Sequence, residues 1–425
     1  MNIKFLRVEF KKLIVASHFK KLLIFLLVAL FACLAYQKIS QISFIQYYRQ
    51  TLVKNSHFQS KNSYDDSGLI RKDTDQELKA LNTGKKTYLK WYRQTIYNQA
   101  YSLKQYDYSA RNKHTDYILP NQNRRFLYDG TADSYAQDTL NFLDYLGQHH
   151  IHPLHPYDFF LHFDKYLDLN SGDQMRLLAY LKKWHPVFYL KAWYVLYGFL
   201  KNDYGFLLLL IILIAVLGGN FAYELDRHHP TWRLLKTYGQ SRHELFLQQC
   251  ISQIALNLLA IFLPLSIFII IVFIFGQGGS LQYPFWCITY NYQFSMFDQG
   301  KLLPLSQYFL SALPLILSLV VWVSSLNNFV GVVVKNKRLD NLLTMLFLLI
   351  GQMLPPNYLN IFSYFKIDRM VTGYFANLTE SGNYYPNFAS IILLLASLFL
   401  LFLSYGYLWL RDRKINGILK INLLD

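Results

Sequence analysis

Long uninterrupted apolar blocks constrain this chain more than any other feature of its sequence. Six such blocks, each of about 15 to 27 residues, alternate with polar stretches. A helix needs about 20 apolar residues to cross the roughly 30 Å hydrocarbon core of a bilayer. Hydrophobic residues make up 53% of the chain and charged residues only 16%, a balance that is rare in soluble proteins. The sequence therefore predicts an all-α polytopic membrane protein with six transmembrane helices.

The positions of the apolar blocks divide the chain into five parts. Apolar residues at helical spacing near the N-terminus oppose several lysines, which is typical of a helix lying in the membrane interface. The first apolar block also resembles a lipoprotein signal peptide around residues 30–33, but its long basic flank and the five later spans favour an uncleaved anchor. The predicted parts are a cytoplasmic amphipathic interfacial helix (1–21), span 1 (22–40), a mostly helical extracytoplasmic domain (41–203), spans 2–6 with a cytoplasmic coupling loop at 224–250 (204–410), and a cytoplasmic tail (411–425).

Basic residues in the short loops give the predicted orientation. The loops and termini assigned to the cytoplasm carry 17 Lys and Arg, whereas the alternate loops carry three. Because cytoplasmic loops are enriched in Lys and Arg, both termini are predicted to be cytoplasmic. The enrichment in Lys, Asn, Tyr, Phe and Ile is typical of AT-rich bacterial genomes, so we expect a bacterial cell membrane. The net charge of +16 is then explained by topology and lipid headgroups rather than by nucleic acid.

The fifth apolar block meets a double proline, Pro355-Pro356. Proline ends or breaks a helix, because it lacks the backbone N–H and restricts the residue before it. The fifth helix is therefore predicted to start near Asn341 and to stop at the prolines. The aromatic segment 358–374 that follows is then expected to return to the membrane edge.

The loop after the second span contains signals for a short helix. Pro230 lies where a helix can begin and Gly239 where one can end. Ser241 followed by Glu244 forms a capping box, which predicts that the next helix starts at Ser241. A short amphipathic helix over 231–238 is therefore expected between two spans.

This order of features resembles the permeases of type-2 ABC exporters. An acid ends the second span, a short helix follows, and Ser-Arg then opens the helix of the third span. The external stretch Ile361-Phe362-Ser363-Tyr364-Phe365, followed by Met370-Val371-Thr372-Gly373, also resembles a motif of Gram-positive members. The Tyr238-Gly239-Gln240 step departs from the tighter step of that family. The resemblance implies that an ATPase subunit docks on a coupling site composed of Glu224, Thr231, Trp232, Arg233, Lys236, Gly239, Ser241 and Arg242.

The chain has no phosphate-binding loop of its own. Its nearest candidate, residues 84–87, lacks the earlier glycine that such a loop requires. We therefore expect no directly bound cofactor and no enzymatic activity in this chain, with ATP hydrolysed by a separate cytoplasmic ATPase subunit. The resemblance also implies a second permease half, identical or different, and contact with membrane lipid.

A group of histidines is the alternative chemical site. His149, His150, His152 and His155 could in principle bind a metal, since histidine is a common ligand. Their spacing matches no standard site, and Pro153 interrupts any helix that would align the rings. A solvated loop is the preferred interpretation. The three cysteines are scattered, which gives neither a disulfide framework nor a zinc motif.

The predicted function is export of a hydrophobic peptide, lipid or drug. The spans contain amides such as Asn220, Gln253, Asn257, Asn327 and Gln352 but few ionisable groups, which argues against a proton-coupled transporter. These amides are expected mainly to join helices. The alternatives are a membrane sensor or receptor with a ligand-binding external domain, and a membrane enzyme that uses the histidines. A copurifying kinase would favour the sensor, and bound zinc would favour the enzyme.

Overall fold

The computed structural model describes residues 141–151 except 143, 191–201, 242–274, 278–288, 290–291, 296–297, 301–334, 337–355, 360–379 and 382–421, with isolated positions between 24 and 79 and residue 212. These residues are mostly helical, as the sequence predicts. The α-helices are α1 (Ala192–Leu200), α2 (Arg242–Ile274), α3 (Leu305–Val334), α4 (Lys337–Met353), α5 (Ile367–Val371), α6 (Tyr374–Thr379) and α7 (Pro386–Ile421). Two 3-10 helices, Ile361–Phe365 and Gly382–Tyr384, connect α4 to α7.

Three of these helices are long and apolar enough to cross a membrane. They contain the segments Leu245–Ile274, Leu305–Val334 and Pro386–Arg411, which correspond to the predicted third, fourth and sixth spans. The apolar part of α4, Leu339–Met353, is shorter. Most of the predicted first span and almost all of the second lie outside the described residues, as does most of the 41–203 domain, so the six-span count stays a prediction.

The helix ends follow the local sequence signals. Helix α2 begins at Arg242, directly after the capping residue predicted from the Ser241 box. Helix α4 begins at Lys337, four residues earlier than predicted, and ends at Met353, two residues before the double proline. Helix α7 begins at Pro386, where the missing N–H of proline leaves no helical bond unmade. The prolines therefore define the break between α4 and α7.

Helix α3 forms the centre of the described bundle. It packs most extensively against α7, and it also contacts α2 and α4. Leu315, Leu319 and Val323 are fully buried, and all seven residues from 322 to 328 are buried in succession. A stretch of helix that is buried on every face lies inside the bundle rather than at its surface.

The described part of the loop between α2 and α3 contains four short strands, which the sequence does not predict. Strand β1 (Pro284–Cys287) pairs antiparallel with β4 (Lys301–Pro304), and β2 (Tyr290–Asn291) pairs with β3 (Met296–Phe297). The residues of β1 are buried on both faces. They therefore lack the polar–apolar alternation by which a half-buried strand is recognised in a sequence.

Several of these segments meet at one end of the bundle, in what we call the cap: α1, residues 278–304 and residues 361–384. The amide of Trp193 donates to the carbonyl of Gly278 at 3.2 Å, and the amide of Ile288 donates to the carbonyl of Thr372 at 2.8 Å. The Tyr308 ring at the start of α3 lies 5.0 Å from the Tyr197 ring. The cap therefore joins three segments that are predicted, from the alternation of loop charges, to lie on the same side of the membrane.

The opposite end of the bundle brings together the other set of loops. Leu245 and Phe246 at the start of α2 pack with Val332 near the end of α3 and with Leu408 of α7. The alternation of loop charges predicts this grouping. Which group faces the cytoplasm stays a prediction from the Lys and Arg count.

Candidate functional site

Most of the predicted coupling site lies outside the described residues. Glu224, Thr231, Trp232, Arg233, Lys236, Gly239 and Ser241 all belong to that part. Arg242 is the first residue of α2, and only its backbone is described. After the part of the predicted coupling loop that lies outside the described residues, the structure resumes at Arg242, where α2 begins.

The entry of α2 into the bundle is firmly packed. Leu245 and Phe246, one turn after Arg242, are completely buried. Cys250, a further turn on, belongs to the same apolar cluster. Because α2 is continuous from Arg242 to Ile274, a displacement of the loop would move a membrane helix rather than a flexible connection.

A layer of buried polar side chains follows along α2, α3 and α4. Asn257 of α2 donates from Nδ2 to Ser324 Oγ of α3 at 2.9 Å. Thr344 of α4 donates from Oγ1 to Asn327 Oδ1 of α3 at 3.0 Å. These bonds confirm the sequence prediction that Asn257 and Asn327 join helices, since amides and hydroxyls in an apolar bundle bond across helix contacts.

The same layer contains polar atoms that lack a partner among the described residues. Four of them are buried on the first turns of α2: Gln248 Oε1, Gln249 Oε1, Ser252 Oγ and Gln253 Nε2. Leaving a buried polar atom unbonded costs on the order of 1–3 kcal/mol. Among the described residues, the first half of α2 therefore has hydrogen-bonding groups without a partner.

An apolar cavity of about 490 Å³ lies beside α3 at the middle of the bundle. Its wall is formed by four separate segments, and every lining side chain is apolar or aromatic. The sequence does not reveal this site, because no single segment contains it. The lining residues are Trp322, Leu326, Phe329 and Val330 of α3, Leu343 and Phe347 of α4, Ile361 and Phe362 of the first 3-10 helix, and Ala396, Phe399 and Leu400 of α7.

Phe362 closes one end of this cavity because the chain folds back against α4. Its ring lies edge-on to Trp322 and to Phe347, with ring centroids 5.4 Å apart in both pairs. A Cβ at Gly351 would lie 2.2 Å from the Phe362 ring, so only glycine permits this approach. Gln352 Nε2 also donates to the Phe362 carbonyl. The segment after the double proline thus returns to the bundle, and its position relative to a membrane edge stays a prediction.

The histidines do not form a site in the described structure. His149 and His150 are exposed in a turn, and the His149 ring packs 4.4 Å from the Tyr145 ring. His152 and His155 lie outside the described residues. Within the described parts of the chain, no three His, Cys, Asp or Glu side chains come together as metal ligands would.

Ionisable groups of the cap have pKa values that reflect poor hydration. Burial raises the pKa of Cys287 to about 11, although Lys301 opposes the shift. Burial, with a smaller contribution from Tyr384, raises the pKa of Tyr364 to about 12. Burial and then the charge of Arg369 lower the pKa of Lys366. Because Cys287 is protonated at neutral pH, it is not a reactive thiolate.

Comparisons with protein-family models, with curated proteins and with solved structures find no match for this chain.

Proposed function

We propose that this chain is the membrane-spanning permease subunit of an ATP-driven exporter of the ABC type-2 class. It works with a second permease half and with separate cytoplasmic ATPase subunits, which supply ATP hydrolysis. Its cargo is a hydrophobic peptide, lipid or drug moved out of a bacterial cell.

The observation that carries this proposal is the path of α2. The loop at 224–241, whose residues resemble an ATPase docking site, leads without interruption into a 33-residue helix. Such a helix is about 50 Å long at 1.5 Å per residue. An ATPase that pushed on the loop would therefore shift the far end of a membrane helix, which lies near the cap.

The apolar character of the bundle supports the proposed class of cargo. The lining of its cavity contains no charged or polar side chain, whereas a sugar or an ion would need fixed polar ligands. The polar atoms on α2 that lack a partner among the described residues support an alternating mechanism, because they could find partners in a second arrangement of the helices.

The docking site is tested by replacing two of its residues together, Trp232→Ala with Arg233→Glu. Aromatic and arginine side chains dominate many interfaces, so this variant is expected to lose copurification of the ATPase subunit. Trp409→Ala with Arg413→Glu is the matched control, since it changes the same residue types at the end of α7. Equal ATPase recovery from both variants would place the docking surface elsewhere.

The direction of transport is tested in inverted membrane vesicles. ATP-dependent accumulation of a membrane-active peptide in these vesicles is expected, and deletion of the gene is expected to sensitise cells to that peptide. ATP-dependent uptake into right-side-out cells without accumulation in inverted vesicles contradicts export. Copurification of a kinase instead of an ATPase would favour the sensor alternative.

A further inference from the structure

The apolar cavity beside α3 opens sideways between α4 and α7. Trp322 at its floor is only 4% exposed, whereas Phe347 and Phe399 at its mouth are 53% and 61% exposed. Trp322 and Phe399 lie near the middle of the candidate spans Leu305–Val334 and Pro386–Arg411. The mouth therefore faces outward at the depth where a bilayer contains only hydrocarbon.

The surfaces beside the mouth are also apolar. Leu342 and Leu346 of α4 and Leu395 and Leu398 of α7 are all exposed. Helices that present such rows at this depth contact lipid chains. The cavity is thus continuous with a surface that lipid chains cover.

The size of the cavity matches one acyl chain. A methylene group occupies about the volume of a water molecule in the liquid, roughly 30 Å³, so a cavity of about 490 Å³ holds on the order of 16 methylene groups. The side chains that line an unfilled apolar cavity have no packing partners on that side, which costs dispersion energy. An acyl chain that enters from the bilayer removes this cost.

The chemistry of the lining favours a hydrocarbon over an extended peptide segment, whose backbone groups are not paired within the segment itself. An extended peptide backbone in the cavity would find one hydrogen-bonding group among the lining side chains, the indole N–H of Trp322. Nearly all of its polar groups would then remain unpaired in a dry environment, which is strongly unfavourable. An acyl chain has no such groups.

We propose that this cavity is a binding site for one acyl chain of a bilayer phospholipid, which enters between α4 and α7 and contacts Trp322 and Phe362. This site does not depend on the proposed transport function. It would hold its lipid in a sensor or an enzyme of the same fold.

The test uses tryptophan quenching by a phospholipid brominated on its acyl chains. The full chain is placed in phosphatidylcholine vesicles with an increasing fraction of the brominated lipid. The chain contains seven tryptophans, so the emission of Trp322 is the difference between the wild type and Trp322→Phe. A bound chain would bring bromine into contact with this buried ring, and loss of the Trp322 emission is expected.

Two variants distinguish a bound chain from the surrounding lipid. Ala396→Phe fills the cavity and is expected to remove most of the quenching of Trp322. Leu398→Phe, on the exposed face of the same helix, is the control and should leave it unchanged. Phe399→Ala widens the mouth without disturbing the core, so quenching should be kept or increased even if Ala396→Phe folds poorly.

Three results would overturn the proposal. They are a Trp322 emission that brominated lipid does not quench, quenching that is equal in Ala396→Phe and Leu398→Phe, and quenching that Phe399→Ala abolishes. The first result, combined with cross-linking between two copies through position 347, would assign the cavity to a second copy of the chain.

Discussion

Replacing Gly373 by alanine is expected to open the cap. Gly373 has a φ of 73°, in the left-handed region that costs an L-residue about 1–2 kcal/mol. A Cβ at this position would also lie 2.1 Å from the carbonyl oxygen of Ile288. Relief of that overlap requires the turn to move away, which breaks the 2.8 Å bond from the Ile288 amide to the Thr372 carbonyl.

The cost follows from these contacts. A lost backbone hydrogen bond adds about 1 kcal/mol to the conformational cost of about 1–2 kcal/mol, so closure of this part of the cap is weakened by about 2–3 kcal/mol. Since 1.4 kcal/mol corresponds to a factor of ten, the open form becomes about 100-fold more populated. The effect is local, because loops and turns open independently of the helical core.

Labelling of Cys287 by a maleimide measures this opening. Its S–H donates to the carbonyl of Val371 at 3.5 Å, and burial raises the pKa of the thiol to about 11, so the closed form reacts slowly at neutral pH. When labelling proceeds through the open form, its rate follows the open population. Gly373→Ala is therefore expected to label about 100-fold faster at Cys287, as measured by mass spectrometry of the labelled peptide.

Gly406 provides the matched control on α7. A Cβ there meets no atom within 4 Å, and alanine is favoured over glycine in a helix by about 1 kcal/mol. Gly406→Ala should therefore leave the labelling of Cys287 unchanged. If Cys287 in Gly373→Ala were labelled at the wild-type rate, the close approach of Gly373 to Ile288 would not be what keeps the cap closed.

Three further predictions address the cap and the topology. Tyr308→Phe removes the 3.1 Å hydrogen bond to Asp368 Oδ1 and should cost about 1.5–3 kcal/mol in thermal unfolding if the carboxylate is charged, whereas Tyr407→Phe on exposed α7 should cost little. The folded-state pKa of Cys287 lies above its ordinary value of 9.0, so its contribution to stability is present below pH 9.0 and lost as the pH rises towards about 11. This loss of unfolding free energy amounts to roughly 2–3 kcal/mol for a shift of about two pKa units. Cys287→Ala should remove it, as measured by unfolding at a series of pH values. Cysteines introduced at positions 130, 336 and 416 test the topology: the first should label from outside and the other two only after permeabilisation, and labelling of 130 only from inside would reverse the orientation.

The long helices could be predicted from the sequence because their signals are local. An apolar block of membrane length, a capping box and a double proline each act within a few residues, and α2 and α4 begin or end close to them. Helix α7 shows the limit of such signals. Its apolar block ends near residue 410, whereas the helix continues to Ile421, because hydropathy marks where a helix leaves apolar surroundings rather than where its hydrogen bonds stop.

The cap and the cavity could not be predicted because their contacts join distant parts of the chain. The hydroxyl of Tyr194 accepts from the amide of Ser280, 86 positions later. The cavity depends on the return of Phe362 to Gly351, and the double proline predicts a break but not the direction of the chain beyond it. Aromatic residues in a sequence therefore predict burial, but they do not show which distant residues they contact.

The length of α7 has a mechanical consequence. Its 36 residues extend over about 54 Å at 1.5 Å per residue, well beyond the roughly 30 Å of a hydrocarbon core. Near its start it adjoins Tyr384 of the cap, and Leu408 packs against the first turns of α2. A stiff rod anchored in this way converts rotation into translation, and a tilt of about 5° moves one end by about 5 Å relative to the other, given the same rise per residue. A tilt of α7 should therefore displace the cap end and the α2 end together, and the ratio of the two displacements should be constant.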